Sequence, residues 1–585
     1  MKKTTLIGAL VLAACCAGNA AAAAKYPQFP GRASQTLDGS WSFAWLGDAD
    51  LDRLDPVSIE CSDTVAVPGV FDTSLDNFGK RGTGLYRRAV IAAAGPQRLK
   101  IGGLGLYAKV WWDRTLIGEI KLPYASVDLD FTNPADGDHT LTLAVDNRFS
   151  EVTAPLFKPS YDFYAYGGIY RSVALQALPV KRIERIRVTT LDHKAGRVRV
   201  RLALAGLPDG PASVALAFDR AEAAAQSVTV AGGSAEFEAT VPNAKPWTPQ
   251  APNLHTVSVS LGTDRVVDRF GIRTLKAVGR QILLNDVPLR LKGVNRHESH
   301  PEFGPVQNTH LMLEDIRLVR TLGGNFIRCV HYQHDPEFYE LCDETGMLAW
   351  AESLGWGLSE KALLSLEALL VEETRILGEV VANHPAVIIA GFLNEGASDK
   401  PGSLPLYRKL AATLRQTAPG TLVSYASNRL KSDVCFGVCD VVSINYYPGW
   451  ISPVSWTQPS SAQVKPFIDE LALWFDKPEN KDVFDKPLLT AETGCCGVYG
   501  VRDRALAQWS EEYQADYFTT SIRASMGNPR FCGVTLWQMF DTRSFVNSGE
   551  VRGKFRGFNC AGLLDEYRRP KLAYDEVQKL FHELK

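Results

Sequence analysis

Residues 386–396 read AVIIAGFLNEG, an apolar run long enough for one buried strand that stops abruptly on Asn394 and Glu395. A near-continuous apolar strand is covered on both faces, as in a parallel sheet flanked by helices. A one-sided antiparallel strand alternates instead. Seven runs of similar make-up surround it after Gly279: LRLKGVN, NFIRCVH, GMLAWAE, LVSYASN, DVVSINYY, PLLTAE and GVTLWQM. Helical stretches separate most of them. Asp335-Pro336 opens one with a capping acid and proline at its first position, and Gly346 follows its last turn. Residues 358–381 and 511–526 are longer amphipathic candidates, and only the link between the fifth and sixth runs is too short for a full helix. Eight β-α units of this kind predict a (β/α)8 TIM barrel over 279–585.

Upstream the pattern is all-β. From Tyr26 to about residue 179, segments such as LDGSWSFAWL, AKVWWD and HTLTLAVDN alternate between Gly, Pro and Asp punctuation, predicting a jelly-roll β-sandwich. From 180 to 278, RVRVRLALAG, SVALAFD, AEFEATV and TVSVSLG keep a period of two, predicting a small immunoglobulin-like β-sandwich. The fold class is therefore multidomain β plus α/β. Residues 1–24 have a Lys2-Lys3 start, an apolar stretch from Leu6 to Ala14 and small residues to Ala24, the pattern of an export signal too short to span a membrane. Export to the periplasm or medium is the expectation. Leu12-Ala13-Ala14-Cys15 resembles a lipobox, which would place a lipid on Cys15 and tether the chain to a bacterial membrane; cleavage near Ala24 is the alternative.

A net charge of −2 over 585 residues, with no basic stripe, excludes a nucleic-acid partner. Of 11 cysteines, Cys15 and Cys16 lie in the leader, and the rest are scattered, as buried thiols are. His297-Glu298-Ser299-His300 lacks the two-turn spacing of a helical zinc motif, so neither a metal nor an organic cofactor is expected. Oligomeric state is left open.

Barrel chemistry sits where strands end at the C-terminal face. Those ends supply Asn295-Arg296-His297, His331, Glu352, Asn394-Glu395, Asn428, Asn445-Tyr446-Tyr447, Glu492 and Trp537. Glu395 and Glu492, from the fourth and seventh strands, can face each other across the mouth. Such a pair suits glycosidic cleavage, in which one carboxyl protonates the leaving oxygen and the other attacks or stabilises the anomeric carbon.

With those residues in view, the chain resembles glycoside hydrolase family 2, most closely its β-glucuronidase branch. The resemblance is carried by LKGVNRHE (291–298), IRCVHYQHDPEFYELCDETGMLAWAE (327–352), NHPAVIIAGFLNEG (383–396), DVVSINYYPGW (440–450) and TAETG (490–494), with FGIRTLKA (270–277) and YDFYAYGGIYRSV (161–173) upstream. It implies a retaining exo-β-glycosidase acting on a terminal sugar of a carbohydrate or glycoside. Glu395 would be the acid/base, Glu492 the nucleophile, and Asn394 a ligand of the 2-hydroxyl. His331, Tyr447 and Trp537 would line the sugar pocket, to which the N-terminal sandwich would lend Asp162. The pattern departs at the branch's Asn-x-Lys motif, which holds a uronic acid's carboxylate and reads Asn559-Cys560-Ala561 here. Arg552, Lys554 or Arg556 could supply the missing cation, Arg556 being best placed in sequence. A β-galactosidase or α-L-arabinopyranosidase would need none. A non-catalytic carbohydrate-binding protein is the reading from another class, which retention of both glutamates opposes.

Overall fold

The computed structural model describes residues 25–151, 153, 163–450, 459–544 and 554–584. The predicted leader with Cys15, and Asp162 and Arg552, lie outside them. The eight apolar runs become the eight strands of a closed barrel in sequence order. They pair in parallel from Leu291–Arg296 and Phe326–Cys329 round to Phe531–Leu536, which returns to the first. From the second strand to the eighth every residue is buried, as two covered faces require. Helix Pro336–Thr345 has Asp335 accepting from Glu337 N at one end and left-handed Gly346 at the other. The 358–381 candidate is two helices, Glu360–Ser365 and Glu367–Val381, broken at Leu366. Short 3-10 turns fill the link between the fifth and sixth strands.

The N-terminal sandwich stacks a four-stranded on a six-stranded antiparallel sheet around Trp41, Leu99, Val110 and Leu143. The next opposes three strands to four. One element has no counterpart in the sequence reading: a three-stranded antiparallel sheet over Leu275–Leu289 precedes the first barrel strand. Its strands have four, four and three residues, too short for a period to show.

Both sandwiches are keyed into the barrel. Arg273, in the FGIR stretch, is buried and donates to the carbonyls of Pro385 (2.8 Å) and Val387 (2.8 Å), at the base of the strand that carries Glu395. Only glycine fits at Gly271, since a Cβ there would lie 2.5 Å from Pro385 Cγ. From the N-terminal sandwich, Arg171 enters a buried seam and donates to Glu298 Oε2 (2.7 Å) and the Gln333 carbonyl (2.6 Å). Glu298 Oε1 in turn accepts from Asp335 N (2.7 Å), the capping residue of helix Pro336–Thr345. Beside it Tyr124 stacks on Tyr332 with ring centroids 3.9 Å apart. The N-terminal sandwich thus fixes the loops that begin at His297 and His331.

Candidate active site

A straight strand would send Asn394 and Glu395 to opposite faces. Here Leu393 (φ 55°) and Glu395 (φ 53°) are left-handed, and the register against the fifth strand slips between Gly391 and Asn394. Left-handed backbone costs a non-glycine residue about 1–2 kcal/mol. Bonds from Asn394 N to the Gly355 carbonyl (2.7 Å) and from Glu395 N to the Ala426 carbonyl (2.9 Å) hold the irregularity. Both side chains then reach one group: Asn445 Nδ2 donates to Glu395 Oε1 (3.0 Å) and to Asn394 Oδ1 (3.1 Å).

Glu492, only 3% exposed, is gripped at both oxygens. Oε1 accepts from Arg328 Nη1 (2.6 Å) and Oε2 from the Tyr447 hydroxyl (2.7 Å). Charge-assisted bonds of this kind hold both oxygens of the carboxyl in one orientation. Glu395 is the more accessible of the two. Sequence reasoning missed Arg328, the hub of the site. It is fully buried, and its guanidinium also donates to Asn394 Oδ1 (2.9 Å), Asn295 Oδ1 (3.1 Å) and Glu352 Oε1 (3.1 Å). The signal was available: a lone arginine inside NFIRCVH, on a strand buried on both sides, needs carboxylate partners.

Glu352 is the third carboxyl of the cluster. Burial pushes it up to about 7 against the pull of Arg328, with Glu492 adding to the rise. A carboxyl raised from 4.5 to about 7 on folding stabilises the protein below 4.5, and that contribution is lost as pH rises towards 7. Melting temperature is therefore expected to fall less steeply for Glu352→Gln than for wild type between about pH 4.5 and 7, a difference worth up to about 3 kcal/mol at the upper end. Parallel curves would show that Glu352 does not titrate there.

The remaining predicted residues divide. His331 stacks on Trp537 (5.1 Å, 16°), and His297 meets Trp537 edge-on (5.6 Å, 85°). Burial first, then the charge of Arg328, drives His331 well below the usual histidine range, so the ring is neutral. Four buried polar atoms of this cluster have no hydrogen-bond partner among the described residues: Asn394 Nδ2, Asn445 Oδ1, His331 Nδ1 and His297 Nε2. Native proteins rarely leave such atoms unmet, and sugar hydroxyls would meet them. Tyr447 reaches Glu492, whereas Tyr446 points away to Thr490 and Ser525 (2.9 Å each), as the period of two dictates. Arg296 is spent on Asp315 (2.9 Å), and Asn428 is exposed.

Asn559 is buried beside the mouth, its Oδ1 accepting from Ala561 N (3.1 Å). Arg556 corrects the expectation placed on it. Its side chain is more than half exposed and ion-paired with Glu566 at 3.3 Å, so it does not join the buried cluster. Among the described residues no group of His, Cys, Asp and Glu has metal-binding geometry, and none of the nine cysteines is disulfide-bonded.

Residues 275–585 match the family model described as glycosyl hydrolases family 2, TIM barrel domain, and 181–273 match the one described as glycosyl hydrolases family 2. β-Glucuronidase of Rattus norvegicus is 26% identical over 93% of this chain and 90% of its own. That of Homo sapiens is 25% identical over 94% and 91%. Among solved structures, a β-galacturonidase from Eisenbergiella tayi bound to galacturonate superposes with a TM-score of 0.85 at 31% identity, covering 95% of this chain and 98% of the other. A Faecalibacterium prausnitzii β-glucuronidase gives 0.82 at 25%, covering 95% and 99%.

Proposed function

The chain belongs to glycoside hydrolase family 2, and from that premise we propose that it is a retaining exo-β-glycosidase that removes a terminal uronic acid, in the manner of a β-glucuronidase. The observation that carries the catalytic assignment is the linkage of the two glutamates through Asn445, Asn394 and Arg328 at one barrel mouth. The uronic acid is supported by the names of the relatives above, among which the 31%-identical structure holds galacturonate. Glucuronic and galacturonic acid differ only at C4, and both are within the proposal.

In the first step the Glu492 carboxylate attacks the anomeric carbon while Glu395 gives its proton to the departing oxygen. Arg328 and Tyr447 fix the direction of attack, and Asn394 Nδ2 donates to the 2-hydroxyl as positive charge grows on the ring. Glu395, now ionised, takes a proton from water, which attacks the same carbon and releases the sugar with its starting configuration. A panel of nitrophenyl β-glucuronide, β-galacturonide, β-galactoside and α-L-arabinopyranoside tests the substrate, and the anomer released first, followed by NMR, tests retention. Preference for a neutral sugar would overturn the uronide reading.

Glu395→Gln tests the acid separately. Turnover of a glycoside with a poor leaving group should fall about 100- to 10,000-fold, while a dinitrophenyl glycoside, whose leaving group needs no proton, should lose far less in its first step. Equal losses would remove Glu395 from that role. We further propose that the chain is exported on its leader; recovery of the full-length precursor in the cytoplasmic fraction would contradict this.

A further inference from the structure

The loss of the motif lysine leaves a question that the mouth itself answers. Where the N-terminal sandwich meets the barrel, Phe163 packs against His297 (5.3 Å) and His331 (6.2 Å), and the rings of Tyr164 and Tyr166 follow, 4.7 Å apart. Facing them from the barrel is Arg543. It belongs to the strand Thr542–Arg543, which leaves the eighth barrel strand after Trp537 and pairs with Phe558–Asn559. Its guanidinium carbon lies 3.8 Å from the Tyr164 ring centroid, 4.3 Å from that of Phe78 and 5.7 Å from that of Tyr166. Aromatic rings cover the faces of a guanidinium and leave its edge, where the paired donors lie, available to an anion.

Three other cations nearby are committed. Arg328 serves Glu492 and Glu352, Lys571 is buried on Asp541 at 2.7 Å, and Arg556 pairs with Glu566. Arg543 makes no ion pair with a carboxylate among the described residues. Asp72, an acid that feels the charge of Arg543, is buried and turned to Asn147 Nδ2 (3.1 Å) and Gly167 N (3.0 Å), and burial pushes its carboxyl up to about 6. Arg81 stands beside it, its guanidinium carbon 4.6 Å from the Tyr164 ring centroid.

We propose that Arg543 is the cation that receives the carboxylate of the terminal uronic acid, in place of the lysine that this chain lacks beside Asn559. The assignment rests on the uronide reading above. It explains how a uronic acid is accommodated although Asn559-Cys560-Ala561 offers no charge, because a desolvated carboxylate must be paired.

The test uses the full-length enzyme and its Arg543→Ala, Arg543→Lys, Lys554→Ala and Arg556→Ala variants, with nitrophenyl β-uronides and a neutral β-galactoside. Arg543→Ala should lower kcat/KM on the preferred uronide about 100-fold or more, and leave neutral turnover within about three-fold. Inhibition by the free uronic acid should weaken by a similar factor while inhibition by the neutral sugar does not, which gives a reading even where neutral turnover is slight. Arg543→Lys should recover part of the loss, and added guanidinium should restore uronide turnover to Arg543→Ala alone. Unchanged melting temperature separates this from unfolding. Equal losses on both substrates, or a selective loss in Lys554→Ala or Arg556→Ala with Arg543→Ala unaffected, would overturn the assignment while sparing the uronide reading. A wild type without preference for uronides would overturn both.

Discussion

Glu492→Ala is expected to lose at least about 10,000-fold in kcat, because in the proposed mechanism its carboxyl, held at both oxygens by Arg328 and Tyr447, is the group that attacks the anomeric carbon. The loss should be recoverable in a diagnostic way. Azide diffusing into the space of the missing carboxylate would displace the leaving group once and give the α-glycosyl azide. In Glu395→Ala the covalent intermediate still forms with a good leaving group, and azide then attacks from the other face, giving the β-azide. Product configuration in the two variants therefore separates nucleophile from acid. The same azide anomer from both would show that the roles have been assigned to the wrong glutamates.

Arg328→Ala should combine large losses of activity and stability. The guanidinium lies within 2.6–3.2 Å of oxygens on Glu492, Glu352, Asn394 and Asn295, and no other arginine or lysine among the described residues bonds these oxygens. Removing one partner of a buried ion pair costs about 3–5 kcal/mol, since the carboxylate left behind has neither water nor counter-charge. Arg328→Lys should not rescue it, because a single ammonium cannot span acceptors on four strands. A lysine variant with near wild-type activity would reduce Arg328 to a general source of positive charge. In Arg328→Ala/Glu352→Gln the destabilisation should shrink, as one of the stranded carboxyls is gone.

Much of this was legible from residues alone, and the pattern of what was not is instructive. The barrel strands announced themselves because parallel strands covered on both sides need unbroken apolar runs, and their polar ends could then be collected as a set. Glu395, Glu492, Asn394, His331, Tyr447 and Trp537 converge in the structure. Arg328 escaped because it precedes the strand end where attention was fixed, although burial of an arginine is a strong sign by itself. The sheet at 275–289 consists of strands too short to display a period. Arg556 was credited with reaching a ligand because spacing cannot reveal that Glu566 would fold back onto it, nor that Arg556 takes a left-handed turn (φ 56°). Arg543 went unnoticed for a related reason: the rings that hold it, Phe78 and Tyr164, come from a different part of the chain.

The arginine that the sandwich hands to Glu298 bears on how this enzyme can be engineered. A barrel trimmed of its first sandwich would keep a carboxylate sunk in its wall without a counter-charge, and Tyr332 would lose the ring that roofs it. The catalytic part is consequently not a portable module: shortening from the front would cost the integrity of the very loops that grip substrate, and cargo is better attached at the far end of the polypeptide than spliced in at that junction.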